Sequence, residues 1–437
     1  MNEILIYSPK STSRLRFVLR LVFKELLRVD YRITNSVDEF VSSDLPKIIY
    51  GDEAISDDIF IKSSGLLFEK GIRSLDYEPF IYDGLKVIFP TYNKSSIVPF
   101  DIFSAIFFFV SRYEEYQPYA ADKHGRFTAH HSLAAKLGIL EKPIVNIWAA
   151  KLKDILSKQY PDFIFPKRVF RFTPTYDIDS AYAYAQKGLV RSLGAYFLSI
   201  KNFEWSDIFA RTRVLFTKYK DPFDTFDLQI EYQKKYNLRP IYFILFGRYG
   251  QYNKNINTRN RTFRFLIKRI GDYASIGIHP SYNMIDDETL LPLEIKNLEN
   301  AINKNVSCSR QHFLRLRLPN TYRQLINNDI THDYSMGFAA LPGFRAGICS
   351  PFNFYDLDFE AETKFRVHPF AVMDGTLKDY MNLTPADATN KIKQLVTEVR
   401  NVDGTFISLW HNESLSDKKR WKGWKNVYEE MLKFAID

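Results

Sequence analysis

Residues 169–179 read Val169-Phe170-Arg171-Phe172-Thr173-Pro174-Thr175-Tyr176-Asp177-Ile178-Asp179, a strand-like run that ends in two carboxylates two positions apart. Residues two apart on an extended chain share a face, so both carboxylates point the same way if the strand persists. Like charges that close are unfavourable unless a cation or a shared proton lies between them. A pair of turn or helix-capping aspartates is the plain alternative. Further strand-like runs follow at residues 241–245, 274–278, 365–367 and 405–409. Helical patterns separate several of them. Leu291, Ile295, Leu298 and Ile302 form one stripe; Ala388, Ile392, Leu395 and Val399 form another, with Thr384 as its cap and Pro385 at the first helical position. Strands alternating with helices over about 250 residues predict an α/β fold built on a parallel barrel.

In such a barrel, chemistry sits where strands end. The run ending at Ile278 delivers His279-Pro280-Ser281-Tyr282, and the last run delivers Leu409-Trp410-His411-Asn412-Glu413-Ser414. A short stretch between them, Ser309-Arg310-Gln311-His312-Phe313, adds an arginine and another histidine. A lone histidine is most often structural. Three at expected strand ends, accompanying Asp-x-Asp, are harder to dismiss, because one Asp and two His suit a divalent metal with positions left open for water and substrate.

Upstream, Tyr160-Pro161-Asp162-Phe163-Ile164-Phe165-Pro166-Lys167 places two prolines between a helical pattern and a strand-like run. This punctuation predicts two domains, residues 1–165 and 166–437. The first reads as a smaller α/β unit. It has a strand at 4–7, a helix through Leu15, Leu19, Val22, Phe23 and Leu26, strand-like runs at 47–51 and 85–89, and buried helices over 100–116 and 143–156. It carries no catalytic signature.

Composition narrows the class. The 437 residues are 46% apolar, 25% charged and 16% aromatic, which excludes wholesale disorder and leaves material for a large core and aromatic-lined clefts. The apolar stretch around residues 102–110 falls short of the roughly 20 residues of a membrane span. The N-terminus lacks the pattern of a secretory signal, so the expectation is a soluble, cytoplasmic protein. Two cysteines, Cys308 and Cys349, exclude a disulfide framework or an all-thiolate metal site. The net charge of +9 is spread along the chain among acidic residues, and no nucleic-acid motif accompanies it; the expectation is a solvated surface, not a nucleic-acid partner. Nothing in the sequence marks an oligomeric state.

Over residues 168–415 these motifs resemble the polysaccharide deacetylases of carbohydrate esterase family four, the NodB-homology group. The resemblance implies a distorted, incomplete (β/α) barrel and one divalent metal, with zinc expected. It implies a saccharide substrate and an activity that removes acetyl groups from an N-acetylated amino sugar or saccharide precursor. In that family a Thr-Phe-Asp-Asp motif supplies a general base and then a metal ligand. Here Thr175-Tyr176-Asp177-Ile178-Asp179 takes its place with one residue inserted. The resemblance makes Asp177 the base and Asp179 the ligand, although the insertion leaves the two roles open to exchange. The family's second motif pairs two histidines four apart; His279 fills the first place, but Asn283 stands at the second. His312 is therefore expected as the remaining ligand, and Arg310, in a stretch similar to the family's Arg-Pro-Pro-Tyr, is expected to orient the base. Leu409-Trp410-His411 matches the closing Leu-x-His and makes His411 the expected general acid.

The family's Asp-rich fourth motif is not evident. In its region lie residues 333–337, 343–347 and 372–374, from which Arg345 and Asp374 are expected to line the cleft, with Tyr282 and Trp410 as further substrate contacts. The first segment resembles an uncharacterised domain found ahead of such deacetylase domains, most clearly at Phe100-Asp101-Ile102-Phe103 and Ser111-Arg112-Tyr113-Glu114-Glu115-Tyr116. That likeness implies no activity. The altered second motif and the missing fourth keep an alternative open, a catalytically inactive carbohydrate-binding or scaffold protein that retains the barrel.

Overall fold

The computed structural model describes residues 3–437. The chain opens with β1 (Glu3–Tyr7), whose Ile4, Leu5 and Ile6 are fully buried. A helix capped by Thr12 covers Ser13–Leu19 and runs on as a π-helix over Arg20–Leu27, with Leu21, Val22, Phe23, Leu26 and Leu27 all buried. Then come β2 (Asp30–Thr34), β3 (Lys47–Gly51) and β4 (Ile59–Lys62), which form a parallel sheet in the order β2-β1-β3-β4. The 85–89 run does not join this sheet. Asp83 and Gly84 both take positive φ (48° and 75°) and make a two-residue turn, the geometry that suits a tight hairpin. The turn closes β5 (Phe80–Tyr82) on β6 (Leu85–Val87) in antiparallel register.

The helix expected over 100–116 is shorter and spans only the apolar run. The Asp101 carboxylate accepts from the Ser104 backbone and starts a helix at Ile102–Val110, every residue of which is buried. Arg112, at φ 56°, turns the chain out of it into a 3₁₀ turn at Tyr113–Tyr116. A long helix at Ile144–Gln159 follows, and residues 160–170 then carry neither helix nor strand.

The second part is built on β7 (Arg171–Ile178), β8 (Ile241–Leu245), β9 (Ser275–His279), β10 (Cys308–Ser309), β11 (His332–Asp333), β12 (Phe352–Asp356), β13 (Ala361–Val367), β14 (Val372–Met373) and β15 (Thr405–His411). They make one sheet in the order β12-β13-β11-β10-β9-β8-β7-β15-β14. Every pairing is parallel except that of β12 with β13. The sheet curls as an incomplete barrel with β12 and β14 at its open edges, and the antiparallel β12 was not expected from the sequence. Inside the curl, Ile241, Phe243, Leu314, Phe370, Ile407 and Leu409 form a compact apolar cluster. Gly277 is needed there: a Cβ would meet the Phe243 ring at 2.6 Å and the Cys308 carbonyl at 2.8 Å. The two expected helical stripes lie on helices at Leu290–Ile302 and Pro385–Arg400, the latter capped by Thr384 as read. Among the described residues no helix is long and apolar enough to cross a membrane.

The two parts are bolted together through buried charge. Glu115 accepts from Arg112 Nε at 2.7 Å and from Arg345 Nε and Nη2 at 2.9 and 2.5 Å, while Glu114 accepts from Arg112 Nη2 at 2.7 Å. All four side chains are at most 8% exposed. Closer to the surface, Arg366 donates to both Glu25 oxygens at 2.9 and 2.6 Å.

Candidate metal centre and cleft

Adjacent strands deliver the site. His411, at the end of β15, stands in register with Asp177 on β7, and Asp179 follows one residue past that strand. His279 closes β9, and Arg310 and His312 follow directly on β10. Alternation along β7 explains the selection. Tyr176 points to the helix side, where it stacks on Tyr242 at 4.7 Å, so Thr175 and Asp177 face the interior.

Asp179, His279 and His312 each offer a ligand atom, all within 4.8 Å of one another. His279 Nε2 lies 3.2 Å from Asp179 Oδ1, and His312 Nε2 lies 3.5 Å from Asp179 Oδ2. His279 Nδ1 donates to the Arg310 carbonyl at 2.6 Å, which fixes the tautomer and leaves Nε2 free towards the carboxylate. Asp179 Oδ1 is buried and makes no hydrogen bond. Two imidazoles and one carboxylate, converging with free lone pairs, fit a divalent cation. Burial alone would raise the Asp179 pKa, but His312, His279 and His411 together draw it well below the usual carboxylate range. His312 is pulled down by burial, whereas His279, against the same effect of burial, is raised by Asp177 and Asp179.

Asp177 sits beside this trio, 3.8 Å from His279 Nε2, and accepts from Arg310 Nη1 at 3.0 Å. The same Nη1 donates to Thr175 Oγ1, and the guanidinium stacks over Phe243. Across the cleft, His411 Nδ1 donates to Asp374 Oδ1 at 2.8 Å, leaving Nε2 3.9 Å from Asp179. Asp374, fully buried, also accepts from the His411 and Gly375 backbones. Asp374 raises the His411 pKa well above the ordinary imidazole range, although burial opposes it. All of this opens on a cavity of about 270 Å³ walled further by Arg126, Phe313, Asp379, Tyr380, Arg420 and Trp421.

The structure thus brings together Asp177, Asp179, His279, Arg310, His312 and His411. It corrects four expectations about the walls. Arg345 does not face this cleft, because its guanidinium is consumed by Glu115 and the Gly337 carbonyl. Trp410 lies between two inward residues of β15, so it points outward onto Trp424 and Tyr428. Tyr282 stands outside the cavity wall, its ring stacked on Tyr252 and its hydroxyl 3.0 Å from His124 Nδ1. Asp374 lies behind His411 and orients it instead of lining the cleft. The sequence reading missed Arg126, which reaches the cleft from a loop of the first part and donates to the Phe313 carbonyl at 2.9 Å; that polar loop has no periodicity to mark it.

Residues 4–161 match the model of a family of unknown function, DUF7033. No curated protein matches the sequence. Solved structures that align with the chain include a Mycobacterium smegmatis protein assigned as a polysaccharide deacetylase, at 12% identity over 61% of this chain and 85% of that one, with a TM-score of 0.40. The polysaccharide deacetylase Bc1974 from Bacillus cereus aligns at 12% over 61% and 86%, with a TM-score of 0.29. BA3943, a CE4 family pseudoenzyme from Bacillus anthracis, aligns at 12% over 61% and 60%, with a TM-score of 0.27. At these scores the likeness assigns no role to any residue.

Proposed function

We propose that this chain is a metal-dependent hydrolase that removes acetyl groups from an N-acetylated amino sugar or a saccharide precursor. The observation that carries the reading is the convergence of Asp179, His279 and His312, flanked on one side by Asp177 with Arg310 and on the other by His411 with Asp374. Asp179, His279 and His312 would hold the cation. A divalent ion such as zinc supplies Lewis-acid polarisation of a carbonyl and acidification of water when bound. The shorter approach of Asp179 to both histidines favours it as ligand and leaves Asp177 as the base, oriented by Arg310 to take a proton from water. His411, on the opposite side, holds Nε2 towards the cleft and delivers its proton to the departing amine nitrogen; Asp374 fixes its ring. Tyr380 offers an exposed aromatic ring at the cavity wall for a sugar.

The test is metal content together with acetate release from acetylated amino sugars, for wild type and Asp177→Asn. The reading expects about one metal per chain in both proteins, and acetate release in the wild type alone. Turnover that survives Asp177→Asn would remove Asp177 as the base. A wild-type protein that takes up no metal and still binds glycans would replace the hydrolase with a carbohydrate-binding protein.

A further inference from the structure

Helices at Leu189–Lys201 and Trp205–Phe216 form a hairpin whose polarity is inverted. Surface helices of globular proteins turn an apolar stripe inward and a polar face outward. Here the buried residues are Ser199, Asp207 and Arg211. Arg211 and Lys419 pair with Asp207, and Tyr184 donates to it at 2.6 Å. The outward stripe is Leu189, Leu193 and Phe197 on the first helix, Phe203 in the turn, and Trp205, Phe209 and Phe216 on the second, each 56–82% exposed. An apolar surface of this kind marks an interaction site.

Charge says what covers it. Residues 187–220 hold seven lysines and arginines against Glu204 and Asp207; Lys220 is taken up by Asp224 and Asp227 just beyond, and Arg211 by Asp207, which leaves the other five facing one remaining acid, Glu204. Lys201, Arg213 and Lys218 are exposed, and their side chains form no ion pair among the described residues. Next to the first helix, Lys187, Arg191, Arg248 and Arg259 line a cavity of about 870 Å³. Two copies meeting through this face would bring two such fields together, which opposes self-association. An anionic surface is attracted by the same field, and a bilayer interface also takes up Trp, Phe and Leu side chains.

We propose that the hairpin docks the protein on an anionic lipid bilayer, with Leu189, Leu193, Phe197, Phe203, Trp205, Phe209 and Phe216 seated at the headgroup–acyl boundary and the flanking cations on lipid phosphates. The hairpin also borders a cavity whose opposite side is Glu413, Arg420 and Trp421, residues that wall the metal cleft as well. The inference stands apart from the hydrolase reading and holds whether or not the site turns over.

Trp205 provides the probe, because the other four tryptophans are no more than 3% exposed. The full-length protein is mixed with vesicles of phosphatidylglycerol and phosphatidylcholine, or of phosphatidylcholine alone. The expected result is co-sedimentation with the anionic vesicles, a blue shift of the emission, and quenching by brominated lipid. Trp205→Phe should abolish the spectral change and keep most of the binding. Phe203→Ser, Phe209→Ser and Phe216→Ser combined should weaken binding at least about tenfold while leaving far-UV circular dichroism unchanged. Raised salt should weaken it as well. No binding to anionic vesicles overturns the proposal. Concentration-dependent dimers abolished by the three serines would also overturn it, and would assign the face to a second copy.

Discussion

Glu115→Gln tests how the two parts of the chain are joined. The wild-type carboxylate accepts one hydrogen bond from Arg112 and two from Arg345, at 2.5–2.9 Å and with its side chain 1% exposed. Glutamine keeps one acceptor oxygen and turns an amide NH₂ towards a guanidinium. With the remaining oxygen in the Oε1 place, Arg112 Nε and Arg345 Nε keep their bonds and Arg345 Nη2 faces the amide, while Gly337 and Glu114 stay as the other partners. Breaking a buried ion pair by removing one partner costs about 3–5 kcal/mol, and the oxygen that remains puts the expected loss near the lower end, about 3 kcal/mol. Removing both charges with Glu115→Leu and Arg345→Met should cost clearly less than the sum of the two single changes, because neither charge is then stranded. Urea unfolding followed by circular dichroism and tryptophan fluorescence measures Glu115→Gln, the two single changes and the double variant. A Glu115→Gln loss under about 1 kcal/mol, or strict additivity in the double variant, would refute the reasoning. Burial pushes the Glu115 carboxyl pKa up, but Arg345 and Arg112 outweigh it, so the folded value lies below the ordinary one. Its stabilisation is therefore complete above the unfolded carboxylate range and is lost as pH falls through the folded value. Glu115→Gln should accordingly lessen the acid-side decline of stability.

His312→Ala should lower bound metal to well under one per chain, by atomic emission on the purified protein, without unfolding it; full occupancy in that variant would remove His312 from the ligand set. Asp374→Asn should reduce turnover by about 10²–10⁴-fold with metal content unchanged. Because Asp374 raises the His411 pKa, the same variant should move the alkaline limb of the kcat/KM profile to lower pH, and an unmoved limb would contradict the pairing. Gly84→Ala places a side chain at φ 75° in the β5–β6 turn and should cost about 1 kcal/mol in the same urea assay.

Much of the site was legible because the rules behind it are local. Strand runs with polar residues at their ends put Asp177, Asp179, His279, Arg310, His312 and His411 within reach of one another once the strands lie parallel. Alternation also carried information that the sequence reading did not use. Along Leu409-Trp410-His411 the middle residue must face away from its neighbours, and Trp410 does. The Asp83-Gly84 pair likewise announced a hairpin that the reading of 85–89 as a lone strand passed over. Arg126 and Arg345 were different. Their positions depend on contacts between segments over 180 residues apart in the chain, Arg126 with Phe313 and Arg345 with Glu115, and no local pattern encodes such a meeting. The inverted hairpin was hidden for a related reason, since periodicity shows that a stripe exists and not which way it turns.

Arg310 serves two neighbours through two different parts of itself. Its side chain holds Asp177, and its carbonyl holds the ring of His279. Only the first of these is written in the genetic code for that codon, since every amino acid brings the same carbonyl. On the proposed reading, mutation at position 310 therefore uncouples the half of the centre assigned to proton transfer from the half assigned to the ion. If that reading holds, a chain that drifted there would keep the ligand trio while losing turnover, a short route from an enzyme to a binding protein.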